Sequence, residues 1–194
     1  MENVDARTVL IQSIRAFQPA DKKEADDQKF IAAFASMRQK PFDRGNLDAH
    51  LTASAVIVNR AGTHVLLGLH RKLGRWLQLG GHGEARDTSA ADVALREARE
   101  ESGLYRFELH PNAPQPFDLD VHDIPARPDV PAHKHLDIRY LLVCLDDEIP
   151  QHSDAEHEEV RWFTWDEAGL LDLDDSLVRS LRKAHTIACK NAPR

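Results

Sequence analysis

The sequence predicts an α/β domain that follows a helical extension, because its hydrophobic periodicity changes once along the chain. Residues 1–50 repeat apolar side chains at helical spacing, whereas short apolar or alternating runs after Thr52 are typical of strands. One strongly helical segment, between Ser89 and Gly103, interrupts these strands. A chain of 194 residues suits one core with an appendage, so we expect an extension over residues 1–50 and a domain over residues 51–194.

Composition and charge argue against several classes of protein. A net charge of −7 and a pI near 5.9 disfavour a basic nucleic-acid-binding surface. No apolar run approaches the roughly 18 residues of a membrane span, and the first residues lack the apolar core of a signal peptide. Cys144 and Cys189 have no Cys-x-x-Cys spacing and fit a reducing compartment. We therefore expect a cytoplasmic protein that binds neither nucleic acid nor membranes.

The extension contains two predicted helices, which end before Pro19 and before Pro41. Their apolar positions are Val9, Leu10, Ile14 and Phe17 in the first, and Phe30, Ile31, Phe34 and Met37 in the second. A packing appendage is the simpler interpretation. The alternatives are a substrate lid or a dimer contact, so a homodimer stays open.

The first predicted strands form a hairpin that leads into a glycine-rich loop. Residues 53–58 and 65–69 are apolar runs joined by the turn signal at residues 59–62. Residues 76–79 form a third strand, which ends at glycines 80, 81 and 83, where the missing side chains allow the backbone to approach a ligand. Arg71 lies in a cationic segment between these strands and is a candidate for binding substrate phosphate, although such segments are more often solvated.

The helix after this loop concentrates carboxylates on one face. Ser89 is its predicted N-cap, and Gly103 is its predicted C-terminal stop. At about 100° per residue, one stripe of the helix carries Val93, Glu97, Glu100, Glu101 and Leu104. Clustered carboxylates repel one another unless a cation lies among them, and Mg²⁺ or Mn²⁺ prefers such oxygen ligands. A solvated acidic face is the alternative. The glycine loop near the helix N-terminus favours a metal site, because backbone amides at such a position bind phosphate, and a phosphate and a cation would then meet at one place.

The segment Arg96-Glu97-Ala98-Arg99-Glu100-Glu101-Ser102-Gly103-Leu104 resembles half of the Nudix box, Arg-Glu-U-x-Glu-Glu-x-Gly-U, in which U is aliphatic. The match holds at every defined position. The first half of the box differs, because Thr88 and His82 stand where the pattern has glutamate and glycine, and the loop is one residue longer. Glu84 or Asp87 is the candidate replacement for the glutamate.

The resemblance covers roughly residues 52–190 and implies the Nudix fold, an α/β/α sandwich around a mixed sheet. It also implies hydrolysis of a phosphoanhydride bond in a nucleoside diphosphate linked to another moiety, with Mg²⁺ or Mn²⁺ as cofactor. The alternative is a non-catalytic Nudix-fold nucleotide-binding or regulatory module. An isoprenoid diphosphate isomerase shares the fold, but Cys144 is predicted to be a buried strand residue. The substrate markers of known subgroups are absent downstream of the box, so the nucleotide derivative stays open.

The resemblance also implies roles for individual residues. The metal ligands would be Gly81, Glu97, Glu100 and Glu101. Arg96 would orient these glutamates, and Gly80 and His82 would contact the substrate. In relatives, an acid in the loop before a later strand often acts as a ligand or general base. In this chain, Glu156 and Glu159 are the best matches in the corresponding loop. The candidates for the general base are Glu100 and Glu159.

Two alternating strands after the box bring histidines together. Residues 117–122 and 133–140 alternate apolar and polar side chains on either side of a proline-rich excursion. If these strands pair, His122 faces His133, His135 and Asp137. These are the residue types of a transition-metal site. We expect a wall of the substrate pocket or a second metal site; a polar sheet face is the simpler interpretation.

The last two predicted helices are scaffold, and they follow an acidic loop and a strand. An acidic loop over residues 151–159 leads into a strand at residues 160–163. Thr164 and Glu167 form a predicted capping box for a helix over residues 165–171, and an amphipathic helix covers residues 176–190.

Overall fold

A computed structural model describes residues 5–146, 148–151 and 156–189 of the chain. The helices are α1 (Ala6–Ala16), α2 (Lys22–Met37), α3 (Ala90–Ser102), α4 (Trp165–Ala168) and α5 (Asp175–Cys189). The strands are β1 (Ala49–Asn59), β2 (His64–His70), β3 (Arg75–Leu77), β4 (Leu79–His82), β5 (Phe107–Leu109), β6 (Asp118–Ile124), β7 (His133–Cys144) and β8 (His157–Thr164).

Strand β1 is the centre of one mixed sheet of eight strands. It runs parallel to β7 over its whole length. On its other side, the first half of β1 pairs with β4 and the second half pairs with β2, both antiparallel. Strands β6 and β5 pair with the two halves of β7, while β3 and β8 pair with β2. The sheet therefore divides into two branches that meet at β1 and β7.

Helices cover both faces of the sheet. Leu51, Ala53 and Ala55 of β1 point into one core together with apolar residues of α1, α2 and α3. Val56 and Val58 point to the opposite face, where they pack with residues of α4 and α5. This arrangement confirms the α/β/α sandwich, because each face of β1 buries its apolar side chains under a different helical layer.

The two N-terminal helices belong to the same core as the sheet. Leu10, Ile14 and Ile31 are buried in the cluster that also contains β1, β7 and α3 residues. At the start of α2, the fully buried carboxylate of Glu24 accepts a hydrogen bond from Lys183 Nζ of α5 at 2.6 Å. The helical extension is thus present, and an ion pair connects it to the far side of the sheet.

Several element boundaries differ from the sequence predictions. Strand β1 begins at Ala49, three residues before the predicted change of periodicity, because β7 pairs with it from there. The predicted glycine loop is wrong at residues 80–82, which form β4 because the backbone of β1 provides its ladder partners. Helix α4 ends at Ala168. The acidic loop lies partly outside the described residues, and strand β8 already begins at His157.

The terminal signals of α3 are confirmed. The Ser89 hydroxyl accepts a hydrogen bond from the Asp92 backbone N–H, and Gly103 takes the left-handed conformation with φ 68°. The capping box of Thr164 and Glu167 is also confirmed. None of the helices in the described part of the chain has the length and apolar character needed to cross a membrane.

Candidate active site

A cavity of about 770 Å³ opens on the half of the sheet that α5 leaves uncovered. Side chains opposite one another in neighbouring strands share a face, so the β1 residues His50, Thr52 and Ser54 lie beside the odd-numbered residues of β7. These positions are polar, whereas Val56 and Val58 farther along β1 are apolar and carry α5. The change from polar to apolar along one strand therefore places the cavity.

Arg96 of α3 organises the acidic residues beside this cavity. Its Nη1 donates to Glu97 Oε1 at 2.8 Å and to Glu100 Oε2 at 3.0 Å. Its Nη2 donates to the carbonyl oxygen of His82 at 2.7 Å. One guanidinium thus joins two turns of α3 to strand β4 and fixes the carboxylates in place.

The first half of the box, which differs from the family pattern, contains Asp87. This residue is the main carboxylate partner of Arg96 in the loop before α3. It accepts hydrogen bonds from Arg96 Nε at 3.2 Å and from Nη2 at 3.0 Å, and its side chain is only 7% exposed. Glu84 lies 3.9 Å from Arg96 and is half exposed beside Arg86. Asp87, rather than Glu84, is therefore the loop carboxylate that lies against α3.

Glu101 is the buried member of the carboxylate cluster, which we define as Glu97, Glu100 and Glu101. Its Oε2 accepts a hydrogen bond from the Gly80 N–H at 2.9 Å, and its Oε1 lies 3.9 Å from His157 Nδ1. An added Cβ at Gly80 would lie 2.3 Å from the Ser54 Cβ, so only glycine fits this crossing of strands. The backbone of β4 therefore positions Glu101 at the cavity wall.

Glu97 lies against Gly81, and Glu100 lies nearer solvent. An added Cβ at Gly81 would lie 2.7 Å from Glu97 Oε1, so the absence of a side chain makes room for the carboxylate. Burial raises the pKa of Glu97, and the negative charges of Glu100 and Glu156 add to this rise, while Arg96 opposes it. Arg86 Nη2 also donates to Glu100 Oε1 at 2.6 Å.

The donor set of the cluster fits a hard divalent cation. The three carboxylates offer oxygen ligands, which Mg²⁺ and Mn²⁺ prefer, and Gly81 on the adjacent strand lies against one of them, Glu97. Burial is the main cause of the raised pKa of Glu97, and a cation bound beside this carboxylate would lower that pKa again.

Of the two candidate loop acids, the cavity includes Glu156 and not Glu159. Glu156 lines the cavity and acts electrostatically on Glu97. Glu159 lies on β8, half exposed, with its Oε1 3.8 Å from Arg161 Nε. Arg71 also lies outside the cavity wall, where its Nη2 donates to the His157 carbonyl oxygen at 3.0 Å.

Asp137 is enclosed by donors at the floor of the cavity. Its two oxygens accept hydrogen bonds from Ser54 Oγ at 2.6 Å, Arg139 Nε at 3.0 Å and Thr52 Oγ1 at 3.1 Å. Arg139 is itself buried among three aspartates. These hydrogen bonds hold the Asp137 carboxylate in place where it lines the cavity.

The pairing of β6 with β7 is confirmed, and it places His122 opposite His135. His122 Nδ1 lies 3.0 Å from Asp120 Oδ2, and His82 Nε2 lies 3.3 Å from His135 Nε2. Burial is the main reason that the pKa falls to about 4 for His82 and about 2 for His135, and neighbouring histidines add to both shifts. His133 completes this side of the wall.

Sequence reasoning missed two histidines of the site. His50 falls within the predicted extension, yet it stacks on His133 with ring centroids 5.0 Å apart. The alternating polar side chains His50, Thr52 and Ser54 are the pattern that indicates its position on the sheet face. His157 packs so closely on Gly68 that an added Cβ would lie 2.3 Å from its ring. An isolated glycine within the apolar run of β2 was the signal for that approach.

Comparisons with known proteins give consistent results. The NUDIX domain family matches residues 48–184. A comparison with curated proteins found no match. Among solved structures, a C. elegans Ap4A hydrolase complex is 19% identical with a TM-score of 0.57, covering 72% of this chain and 98% of its own.

Two further structures share the fold. A NUDIX-family hydrolase from Clostridium perfringens is 24% identical with a TM-score of 0.52, covering 71% of this chain and 97% of its own. The NUDIX domain of Shewanella oneidensis NrtR, complexed with ADP ribose, is 16% identical with a TM-score of 0.54, covering 80% of this chain and 96% of its own. At these identities the likeness concerns the fold.

Proposed function

This chain belongs to the Nudix family as a Nudix-type hydrolase, and on that premise we propose that it hydrolyses a phosphoanhydride bond in a nucleoside diphosphate linked to another moiety. The observation that carries the proposal is the carboxylate cluster, held by Arg96 and by the Gly80 N–H at the edge of the cavity. Named structural neighbours that act on Ap4A or bind ADP ribose support a nucleotide-derived substrate.

Glu97, Glu100 and Glu101, with the backbone of Gly81, would hold Mg²⁺ or Mn²⁺. When bound, the cation supplies charge neutralisation at the phosphate oxygens, which develop charge as the anhydride bond breaks. Arg96 keeps Glu97 and Glu100 oriented through its two Nη1 hydrogen bonds.

The general base is a carboxylate that accepts a proton from the attacking water. We propose Glu156 for this role, because it lines the cavity and lies close enough to Glu97 to raise its pKa. Glu100 is the second candidate, whereas Glu159 is directed towards Arg161. Arg44 and Lys72, which are exposed and line the cavity, are suited to binding the phosphates of the substrate.

The test is phosphate release, measured with a coupled phosphatase, from nucleoside diphosphate sugars, dinucleoside polyphosphates and ADP ribose with Mg²⁺ or Mn²⁺. Glu101→Gln keeps the side-chain shape but removes the charge, so we expect turnover to fall by about 10²-fold or more. Glu108→Gln, at an exposed carboxylate on β5, is the matched control. Equal turnover in wild type and Glu101→Gln would refute the proposal. Nucleotide binding without turnover in the wild type would favour the non-catalytic module.

A further inference from the structure

Five histidines gather on the open face of the sheet, apart from the carboxylate cluster. This histidine cluster consists of His50, His82, His122, His133 and His135. His50 has ring centroids within 5.1 Å of three of the others. Strand register alone brings them together, because β1, β4, β6 and β7 contribute residues to the same face. Imidazole rings packed this closely repel one another when protonated, so the arrangement favours neutral rings with available lone pairs.

Three of these rings converge on one point. His50, His133 and His135 each place a ring nitrogen so that all three atoms lie within 4.8 Å of one another. Tetrahedral ligands about 2.0–2.1 Å from one metal ion lie roughly 3.4 Å apart. Small rotations about the side-chain bonds of these histidines would bring the three ring nitrogens from within 4.8 Å to this separation.

Hydrogen bonding orients one of the three rings for coordination. His133 Nδ1 lies 2.9 Å from the carbonyl oxygen of Pro131. A carbonyl oxygen can only accept, so Nδ1 must carry the proton, and the lone pair is on Nε2. Histidines that bind metals commonly donate their other N–H to a carbonyl or carboxylate in this way.

His50 provides a second, independent observation. Its side chain is 4% exposed, and neither ring nitrogen has a hydrogen-bond partner of normal geometry among the described residues; a backbone group of Asn46 lies near enough to raise its pKa, but burial lowers it more. A buried polar atom without a partner destabilises the folded state. A metal ion at the point of convergence would satisfy it.

We propose that His50, His133 and His135 bind one divalent transition-metal ion, with a coordination position open to the substrate cavity. Imidazole ligands suit Zn²⁺, Co²⁺, Ni²⁺ or Cu²⁺, whereas Mg²⁺ requires oxygen ligands. Among the described residues, His82 offers a further imidazole, and its Nε2 lies 3.3 Å from His135 Nε2. Because the three histidines and Glu101 line the same cavity, the open position is suited to an oxygen of a bound ligand. This metal site does not depend on the proposed hydrolysis.

The test uses untagged full-length protein that has been stripped with a chelator and supplied with excess Mg²⁺. Titration with Co²⁺ is followed by visible absorption, and Zn²⁺ retained after gel filtration is measured by mass spectrometry. We expect about one ion per chain in the wild type, and an affinity at least about 100-fold weaker in His133→Ala. His133 is only partly buried, so this variant is expected to fold, as circular dichroism would verify.

Two controls separate the site from other sources of binding. His185→Ala removes an exposed histidine that stacks on Trp165, and it should bind the metal as the wild type does. Glu101→Gln should also retain the ion, whether or not it retains hydrolysis. Loss of the ion in Glu101→Gln, equal affinity in wild type and His133→Ala, or no bound ion in the wild type would each overturn the proposal.

Discussion

Replacing Gly81 by alanine would displace a carboxylate without removing one. The added Cβ would lie 2.7 Å from Glu97 Oε1 and 2.8 Å from Glu97 Cδ, whereas ordinary contacts begin near 3.4 Å. Gly81 does not have a positive φ, so alanine fits the backbone of β4. The Glu97 side chain is only 14% exposed, but the clash involves its terminal atoms, so the carboxylate is the group that moves.

The structure sets the size of the expected effect. The Glu97 carboxylate has to retreat by about 0.7 Å, which also weakens its hydrogen bond with Arg96. Misplacement of a catalytic group by about 1 Å can lower the rate on the order of 10²-fold, equivalent to about 2.7 kcal/mol. The free energy of unfolding should change by less than about 1 kcal/mol, because no core contact is lost.

The assay compares kcat/KM, Mn²⁺ affinity by calorimetry and urea unfolding for the wild type, Gly81→Ala and a matched control. Gly169→Ala is that control, since its φ is −68° and its Cβ would meet only ordinary contacts at 3.4 Å. We expect weak Mn²⁺ binding and slow turnover in Gly81→Ala alone. If both glycine variants retained wild-type turnover, Glu97 would not be a ligand held by close packing. If Gly81→Ala unfolded, the displaced group would be the backbone.

Three further predictions concern the base, the extension and pH. Glu156→Gln should lower kcat by at least about 10²-fold, whereas Glu159→Gln should change it less than about threefold. Glu24→Ala should cost about 2 kcal/mol in urea unfolding, because the buried Leu119 N–H loses its acceptor while Lys183 keeps, among the described residues, only Asp118 as an acidic partner. In metal-free protein, the free energy of unfolding should fall between pH 6.5 and 4, because the lowered pKa values of His82 and His135 make the unfolded chain bind protons first.

Each of these predictions has a contrary outcome. A larger kcat loss in Glu159→Gln than in Glu156→Gln would reverse the assignment of the base. The exposed ion pair between Lys22 and Asp26 of α2 is the comparison for Glu24. If Glu24→Ala lowered the free energy of unfolding no more than Asp26→Ala, solvent would reach the Glu24 site. Each histidine contributes a slope of up to about 1.4 kcal/mol per pH unit. Stability that stayed constant over this range would show that the two imidazoles remain accessible to protons.

Local signals in the sequence were sufficient for α3 and for the pairing of β6 with β7. Ser89 and Gly103 determine the ends of α3 through contacts within a few residues, so the surrounding fold is not needed to locate them. The alternation in β6 and β7 determines which side chains share a face once the strands pair. The acidic stripe of α3 and its resemblance to the Nudix box could likewise be recognised from the spacing of residues in the sequence.

Tertiary structure decided what surrounds that stripe. Residues 80–82 form a strand because β1 provides hydrogen-bond partners that are distant in sequence. The extension joins the core because its apolar residues and Glu24 meet the sheet and α5, which no local pattern specifies. The sequence by itself determined which side chains share one face of a single helix or strand. Only the folded chain could determine that His50 meets His133 and that Glu156 lines the cavity, because those distances depend on strand pairing and packing between distant segments.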